Sequence, residues 1–358
     1  MNILYTITGL TLGGAETITV NLAERMHKLG HKVCILFLSG EQIVQVPDGI
    51  DVINLDMKKN PLGFVNAINK AKKIVNQLKP DVVHANMFHA IIFSRLLRIF
   101  IKIPRLICTE HSNNFHGKLR KLLEHCTDFL SDLNTNVSEK ATSYFVEKGV
   151  FSQEKSLAMY NGVDLNRFCK KESFIRRKLG LLENDFVFIN VSRFNEAKDH
   201  KTLMQAFSLV NKKHPNARLL CIGDGELLET IKEQAVVLGL SDKVLFLGSK
   251  FNTEDYYNAS DCFVLSSAWE GFGLVLVEAM ACELPAISTD CGGTKEIMQQ
   301  ADYLVPIRDP VSLSNKMLEV MNLPKEMRNR IGQSNRKLVE KFDLNMITDK
   351  WVTLYSSS

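Results

Sequence analysis

Two glutamates flank a glycine-containing turn in residues 269–281. Glu270 precedes Gly271 and Gly273, whereas Glu278 follows them within an apolar helical pattern. An apolar strand-like run comes before the turn, so both acids are predicted to lie at one cleft, beside a helix N-terminus that favours phosphate or sugar oxygens. Carboxylates only accept hydrogen bonds, which makes the vicinal hydroxyls of a ribose or hexose natural partners. On spacing alone, an equally acceptable interpretation is that Glu270 caps a helix and Glu278 is a solvated helix residue.

Two cations follow the apolar run that opens the second half of the chain. Arg193 and Lys198 lie in one predicted strand-end loop, where a guanidinium and an ammonium group suit a nucleotide diphosphate. Solvated loop cations are the alternative. Gly13 and Gly14 form a glycine turn between the first strand and the first helix, and we expect it to contact phosphate or sugar. The spacing G-x-G-x-x-G is absent, so the sequence does not predict nicotinamide binding.

A second glycine turn and a strand-end histidine complete the polar candidates. Gly223 lies in a strand-to-helix turn, where Asp224 is expected to cap the helix. Asp224 and Glu226 supply too few oxygen ligands for a divalent cation, so no metal site is predicted. His111 ends a strand of the first half and is expected to face the cleft, where it is able to bond a sugar hydroxyl. A purely structural histidine is the more common meaning of such a position.

Short apolar runs alternate with helical patterns along the whole chain, which predicts parallel sheets with helical crossovers. Such sheets bind ligands at the carboxyl ends of their strands. The predicted fold class is α/β, with two doubly wound, Rossmann-like domains facing a deep interdomain cleft. We expect an acceptor-side domain at 1–168, a nucleotide-sugar-binding domain at 169–342 and a terminal helix at 343–358. The N-terminal domain is one place for that helix to pack.

The composition is that of a water-soluble globular protein, with 45% apolar residues, 23% charged residues and a net charge of +4. Met1 leads into a strand-like run without a basic segment, so we expect no secretory signal. The eight cysteines occur singly, which favours a reducing compartment. We therefore expect a cytoplasmic protein, at most peripheral at the inner face of a membrane, without a nucleic-acid partner.

The positive charge is unevenly placed, with 20 Lys and Arg against 15 Asp and Glu in residues 1–168. Residues 91–105 carry four cations at helical spacings, namely Arg95, Arg98, Lys102 and Arg105. Apolar residues follow the same spacings on another face. This pattern predicts a basic amphipathic helix that docks on the anionic inner surface of a membrane. A helix packed on a sheet with its basic side in water is the more common meaning of such a pattern.

Taken together, these segments resemble the retaining glycosyltransferases of family 4, which have the GT-B fold. The resemblance covers nearly the whole chain and is most specific in the paired-glutamate segment. The residues that it implies for donor binding are Gly13, Gly14, Arg193, Lys198, Gly223, Leu247, Glu270, Gly271, Phe272, Gly273, Leu274 and Glu278. Those that it implies for catalysis are Glu270, His111, Arg193 and Lys198. One departure is Asp199, which stands where the family often has glycine.

The resemblance also implies individual roles for these side chains. Arg193 and Lys198 would bind the donor diphosphate, and Glu278 would hold the ribose. Glu270 and the amides that follow it would hold the donor hexose, and His111 would contact the hexose near the reacting carbon.

The implied activity is transfer of a hexose or N-acetylhexosamine from a nucleotide-diphosphate sugar, with UDP as the expected nucleotide. The expected acceptor is a saccharide, lipid-linked, in cell-surface polysaccharide synthesis of the O-antigen or lipopolysaccharide kind. Neither a metal ion nor a cofactor is expected, since the sugar nucleotide is a substrate. Two other classes stay open, namely a UDP-N-acetylhexosamine epimerase or hydrolase on the same scaffold and a non-catalytic two-domain solute-binding protein.

Overall fold

The chain forms two units that are each built on one parallel sheet. The computed structural model describes residues 1–11, 13–113, 117–299 and 301–357. By their contacts, residues 1–162 and 344–358 form the first unit, and residues 163–343 form the second. The division between the units lies a few residues before the predicted boundary at 168.

The first unit contains a seven-stranded sheet among its described residues, in the order β3-β2-β1-β4-β5-β6-β7. Its strands are β1 (Asn2–Ile7), β2 (Lys32–Phe37), β3 (Asp51–Asn54), β4 (Val82–Asn86), β5 (Arg105–Glu110), β6 (Leu133–Asn136) and β7 (Ser156–Ala158). Its crossover helices are α1 (Gly14–Lys28), α2 (Pro61–Leu78), α3 (Phe88–Phe100), α4 (Lys118–Thr127) and α5 (Glu139–Glu147). The strand residues of β1 and β4 are buried on both faces, because the apolar sides of helices cover the sheet.

The described part of the second unit has a six-stranded parallel sheet, in the order β10-β9-β8-β11-β12-β13. Its strands are β8 (Phe186–Val191), β9 (Ala217–Ile222), β10 (Val244–Phe246), β11 (Cys262–Leu265), β12 (Ala286–Thr289) and β13 (Leu304–Val305). Its helices are α6 (Ile175–Lys178), α7 (His200–Lys213), α8 (Leu228–Val237), α9 (Thr253–Asn258), α10 (Leu274–Ala281), α11 (Thr294–Met298), α12 (Pro310–Asn322) and α13 (Lys325–Val339). Short 3-10 helices are Asp128–Leu130 and Gln153–Lys155 in the first unit, and Glu196–Lys198, Ala301–Tyr303 and Glu340–Phe342 in the second. The predicted α/β class with two doubly wound sheets is confirmed.

The last helix, α14 (Leu344–Ser356), returns the chain to the first unit. His84 in β4 bonds the Tyr355 hydroxyl at 2.6 Å, and the same hydroxyl donates to Tyr5 at 3.2 Å. The Trp351 ring lies 4.5 Å from the imidazole of His84. Burial lowers the pKa of His84 to about 3, so this imidazole is neutral at physiological pH. His84, for which the sequence predicted no role, therefore joins α14 to the first sheet.

The helix predicted over residues 91–105 is different in the structure. Helix α3 ends at Phe100, and Ile101 is already extended. Arg105 lies in β5 instead. Pro104 explains the early end, because it disfavours helical backbone in the residue before it and cannot donate a helical hydrogen bond. Among the described residues, no helix is long and apolar enough to cross a membrane.

The Arg95 side chain, predicted to face a membrane, is completely buried. Its guanidinium donates to the Glu124 carbonyl at 3.0 Å, to the Thr127 hydroxyl at 3.1 Å and to the Asn134 side-chain oxygen at 2.8 Å. Arg98 is likewise engaged, since its guanidinium lies 2.8 Å from the Asp132 carboxylate. The prediction of a basic membrane-docking face on residues 91–105 is therefore wrong. Arg95 joins α3 to α4 and β6.

We predict that Arg95→Ala lowers the free energy of unfolding of the first unit by about 3 kcal/mol, because several buried acceptors lose their donor. Lys102→Ala is the control, since Lys102 is exposed and its loss should cost about 0.5 kcal/mol or less. Urea denaturation followed by circular dichroism measures both values. Equal losses in the two variants would contradict the structural role of Arg95.

Candidate active site

The strand order of the second sheet reverses between β8 and β11. Strand β8 pairs with β9 on one side and with β11 on the other. Helical connections therefore leave on opposite faces, and a crevice opens at the carboxyl ends of these two strands. The loop after β8 carries Arg193 and Lys198, and the loop after β11 carries Glu270. The topology alone thus brings two separate predicted segments to one edge.

Lys198 and Glu270 form an ion pair at this edge. The Lys198 Nζ atom lies 2.6 Å from Glu270 Oε1, and the two side chains are 21% and 8% exposed. The Ser267 hydroxyl donates to the same carboxylate oxygen at 2.7 Å. The Ala268 N–H donates to the Ala197 carbonyl at 2.8 Å, which joins the two loops through their backbones. Two of the predicted catalytic residues are therefore in direct contact.

The glycine turn after Glu270 ends at the start of α10. Gly273 caps this helix with φ = 105°, a left-handed conformation that favours glycine. The helix begins at Leu274, so its first amides belong to the turn predicted to hold the donor hexose. The Phe272 side chain is 3% exposed, and its ring lies 5.1 Å from that of Phe342. Phe272 and Gly271 thus remain predicted contributors through their backbones only.

Glu278 lies in α10, and the Tyr257 hydroxyl donates to its Oε2 atom at 3.0 Å. Burial raises the pKa of Glu278 to about 7, although this hydrogen bond and the nearby charge of Arg167 act in the opposite direction. Arg167 itself pairs with Glu254 at 2.8 Å. Sequence reasoning missed Tyr257 and Arg167, because they lie in distant segments without a motif.

Arg193 shares the edge with the ion pair but has a different partner. Its guanidinium is 65% exposed and lies 3.7 Å from a carboxylate oxygen of Glu226. Gly223 has φ = 137°, and a Cβ there would collide with the Ser192 carbonyl. The Leu247 N–H donates to a carbonyl at the end of β9 at 2.9 Å. Three predicted donor residues therefore occupy neighbouring strand ends, with Arg193 projecting into solvent.

The loop that carries both cations is held by residues that sequence reasoning did not select. The His200 Nε2 atom lies 3.1 Å from the Ser192 hydroxyl, and its ring stacks on that of Phe194 at 3.9 Å. Burial, with a smaller effect of the Lys198 charge, lowers the pKa of His200 to about 3. Asp199 adopts φ = 44° and caps α7 by accepting from the Thr202 N–H at 3.2 Å. This left-handed backbone is one that glycine adopts more readily than aspartate.

The first unit places Gly13 and Gly14 at the N-terminus of α1, as the sequence predicts for a glycine turn. The Glu16 carboxylate occupies the space beside Gly13 and accepts from the Thr11 hydroxyl at 3.1 Å. A substituent at Gly14 would meet no atom within 4 Å. The Glu16 carboxylate therefore already lies at the N-terminus of α1. Phosphate contact by Gly13 and Gly14 stays a prediction.

His111 follows β5, and the neighbouring strand determines which of its two ring nitrogens carries the hydrogen. The Asn86 amide nitrogen donates to the His84 carbonyl at 3.2 Å, which turns the Asn86 amide oxygen towards His111. The Nε2 atom of His111 lies 3.0 Å from that oxygen and must carry the hydrogen. Burial lowers the pKa of His111 to about 4, so the ring is neutral. Among the described residues its buried Nδ1 atom has no hydrogen-bond partner, which leaves a lone pair able to accept from a hydroxyl group.

Within the described part of the chain, no group of three or more His, Cys, Asp and Glu side chains is arranged to hold a metal ion. The expectation that the reaction needs no metal and no cofactor is not tested by this geometry.

Two family models match successive parts of the chain. Residues 12–167 match the model described as Glycosyltransferase Family 4. Residues 171–338 match the model described as Glycosyl transferases group 1. The two segments correspond to the two units of the structure.

Individual proteins with similarity to the chain include bacterial enzymes. The N-acetyl-alpha-D-glucosaminyl L-malate synthase of Bacillus anthracis is 28% identical over 73% of this chain and 74% of its own length. The UDP-Gal:alpha-D-GlcNAc-diphosphoundecaprenol alpha-1,3-galactosyltransferase of Escherichia coli is 26% identical over 79% of this chain and 77% of its own length.

The fold is also found in solved structures. Anabaena HepE, crystallised with UDP and glucose, superposes with a TM-score of 0.86 at 20% identity, and the match covers 100% of both chains. At that identity the likeness establishes the fold, which is GT-B. With both family models matched in order along its two units, the chain belongs to glycosyltransferase family 4.

Proposed function

We propose that this glycosyltransferase moves a hexose or N-acetylhexosamine from a UDP-sugar to a lipid-linked saccharide in cell-surface polysaccharide synthesis. The observation that carries the proposal is the Lys198–Glu270 pair, 2.6 Å apart at the edge where the second sheet reverses its order. A cation for phosphate and a carboxylate for sugar hydroxyls stand there side by side.

The donor site is argued from charge and from hydrogen-bonding capacity. Lys198 and Arg193 supply positive charge for the two phosphates, and Arg193 is exposed enough to turn towards them. Glu278, once ionised, accepts hydrogen bonds from the two ribose hydroxyls. UDP is favoured because the Escherichia coli relative uses UDP-Gal and HepE was crystallised with UDP and glucose.

The proposed reaction retains the configuration of the anomeric carbon. The bond between that carbon and the phosphate oxygen breaks, and its electron pair stays on the diphosphate. The acceptor oxygen bonds to the same face of the sugar, while its proton passes to the departing phosphate oxygen. Glu270 accepts from the Ser267 hydroxyl and is proposed to accept from sugar hydroxyls, which makes its carboxylate a poor covalent nucleophile. Lys198 and Arg193 stabilise the leaving-group charge without a metal ion.

The acceptor and the location are proposed from similarity. The name of the Escherichia coli relative specifies a diphosphoundecaprenol-linked sugar, and that of the Bacillus anthracis relative specifies malate. A lipid-linked saccharide at the inner face of the membrane is the proposal made here. The neutral His111 imidazole would accept a hydrogen from a hydroxyl of the sugar at Nδ1 once donor binding makes that buried atom accessible.

The proposed activity is tested by incubating the protein with UDP- and GDP-sugars, an undecaprenyl-diphosphate saccharide and EDTA. We expect transfer from a UDP-sugar, with an α-linked product from an α-linked donor in the proton NMR spectrum. Release of UDP with a free sugar of changed configuration would support the epimerase or hydrolase class instead. Transfer to malate but not to the lipid would overturn the proposed acceptor. Inhibition by EDTA would overturn metal independence.

Removal of the phosphate-binding cation should affect chemistry more than folding. We predict that Lys198→Ala lowers kcat/KM by about a hundredfold to a thousandfold, the range found when one preorganised charge donor is lost. Lys201→Ala is the matched control, because Lys201 is an exposed lysine on the adjoining helix α7. Steady-state kinetics and melting temperatures of both variants are compared. Near-normal turnover in Lys198→Ala would remove this residue from the donor site.

Donor binding should depend on pH through Glu278. Its pKa of about 7 means that the carboxylate is ionised above pH 7 and protonated below it. Because the ionised form accepts both ribose hydroxyls, we predict that a UDP-sugar binds about tenfold more weakly at pH 6 than at pH 8. A UDP-sugar is the correct probe, since its phosphates do not titrate in this range. Isothermal calorimetry measures the Kd values, and Glu278→Gln should bind weakly without this pH dependence. If Glu278→Gln still bound the UDP-sugar more weakly at pH 6 than at pH 8, the pH dependence would come from a group other than Glu278.

A further inference from the structure

The two acids of the candidate donor site are held in different ways. Glu270 accepts hydrogen bonds from Lys198 at 2.6 Å and from Ser267 at 2.7 Å. In the described part of the chain, the donor to Glu278 is the Tyr257 hydroxyl, which lies 3.0 Å from Oε2. One neutral hydroxyl therefore orients the carboxylate that is proposed to bind the ribose.

Tyr257 is a rigidly packed donor. Its side chain is completely buried, and its ring lies 6.0 Å from that of Phe263 in β11 and 6.2 Å from that of Phe168. Burial and the nearby Glu278 raise the pKa of Tyr257 well above its ordinary value, so the hydroxyl keeps its hydrogen. Glu278 is itself only partly buried. A fixed, permanently protonated phenol thus stands behind a carboxylate that solvent can reach.

Helix α9, which carries Tyr257, is fixed at both of its ends. The Arg167 guanidinium donates to Glu254 near the start of the helix from two nitrogens, at 3.0 and 2.8 Å. The Asn258 side chain, at the last residue of the helix, donates to the Cys169 carbonyl at 2.9 Å. Tyr257 is therefore unable to follow a carboxylate that turns away from it.

The other ionisable groups around Glu278 do not replace this hydrogen bond. Arg167 favours the ionised carboxylate less strongly than the hydrogen bond does, and the charge of Glu254 opposes it. Cys282 at the end of α10 stays neutral, because burial raises its pKa. Arg336 of α13 donates to a carbonyl of α10 at 3.0 Å. The phenol hydroxyl is thus the main interaction that both orients Glu278 and favours its charge.

We propose that Tyr257 is the positioning residue that makes Glu278 selective for a ribose with both of its hydroxyls. The proposal rests on the proposed function, in which Glu278 binds the ribose of the sugar nucleotide. With Oε2 held by the phenol, the carboxylate keeps Oε1 and one lone pair of Oε2 for the two ribose hydroxyls. Without the phenol, the broad terminal torsion of a glutamate lets the carboxylate turn. Ordering it for the second hydroxyl then weakens binding.

The first experiment compares UDP with 2′-deoxy-UDP by isothermal calorimetry at pH 8, on the whole protein. We expect the wild type to bind 2′-deoxy-UDP about tenfold to a hundredfold more weakly, as for the loss of a hydrogen bond to a charged group. Tyr257→Phe keeps the ring and should reduce this difference to about threefold or less. Tyr256→Phe is the matched control, since it removes the neighbouring, similarly buried hydroxyl of α9 and should retain the wild-type difference.

The second experiment follows the Glu278 carboxyl carbon by ¹³C NMR as the pH changes, in the free protein. Its signal is assigned by its absence in Glu278→Gln. The midpoint of titration should lie at about pH 7 in the wild type. It should lie at higher pH in Tyr257→Phe, because a donor to the ionised form is lost, and it should be unchanged in Tyr256→Phe. A purely structural role of Tyr257 would lower the melting temperature without moving this midpoint.

The outcomes separate this proposal from the proposed function. Equal selectivity for the 2′-hydroxyl in Tyr257→Phe and the wild type, or an unchanged midpoint, would overturn the positioning role and leave the proposed function intact. Equal binding of UDP and 2′-deoxy-UDP by the wild type would overturn it as well. A wild type that binds neither nucleotide would refute the proposed function, and the selectivity of Glu278 with it.

Discussion

The ion pair between Lys198 and Glu270 is the interaction on which the candidate site depends. Removing two opposite charges from water is costly unless they neutralise each other, and here they do so at 2.6 Å with a serine hydroxyl as a further donor. Each side chain thereby holds the other in position without a ligand. An arriving diphosphate and sugar would offer both groups new partners of the same chemical kind. The site is thus preorganised for an exchange of partners, which costs less than ordering two free side chains.

The position of that pair follows from topology, and topology is what the sequence predicts best. Apolar runs that alternate with helical patterns indicate parallel strands, and parallel strands collect their carboxyl ends at one edge. Loops separated by about seventy residues, such as those of Lys198 and Glu270, are then expected to meet. The glycine turns at Gly223 and Gly273 were predictable for a related reason, because their φ angles of 137° and 105° favour glycine.

Orientation of a helix about its own axis was not predictable in the same way. Periodicity distinguishes two faces but does not say which one packs inwards. Arg95 has the spacing of a surface cation, yet it is buried because its guanidinium satisfies polar groups of α4 and β6. Leu119 and Leu122 have the spacing of a core, yet they are exposed because Arg95 holds the other side of their helix. One buried arginine therefore accounts for the wrong expectation about residues 91–105. Contacts such as Tyr257 with Glu278 also join distant segments, and one sequence gives no sign of them.

The hydrogen bonds around His111 extend the argument to the first unit. A carbonyl of β4 accepts only, so the amide of Asn86 must donate to it and present its oxygen to His111. That oxygen requires a hydrogen on Nε2 and leaves a lone pair on Nδ1. A neutral ring with this tautomer is unable to supply positive charge to a phosphate, but it is able to accept a hydroxyl hydrogen. In the proposed reaction, positive charge for the diphosphate would therefore be supplied by Lys198 and Arg193 of the second unit.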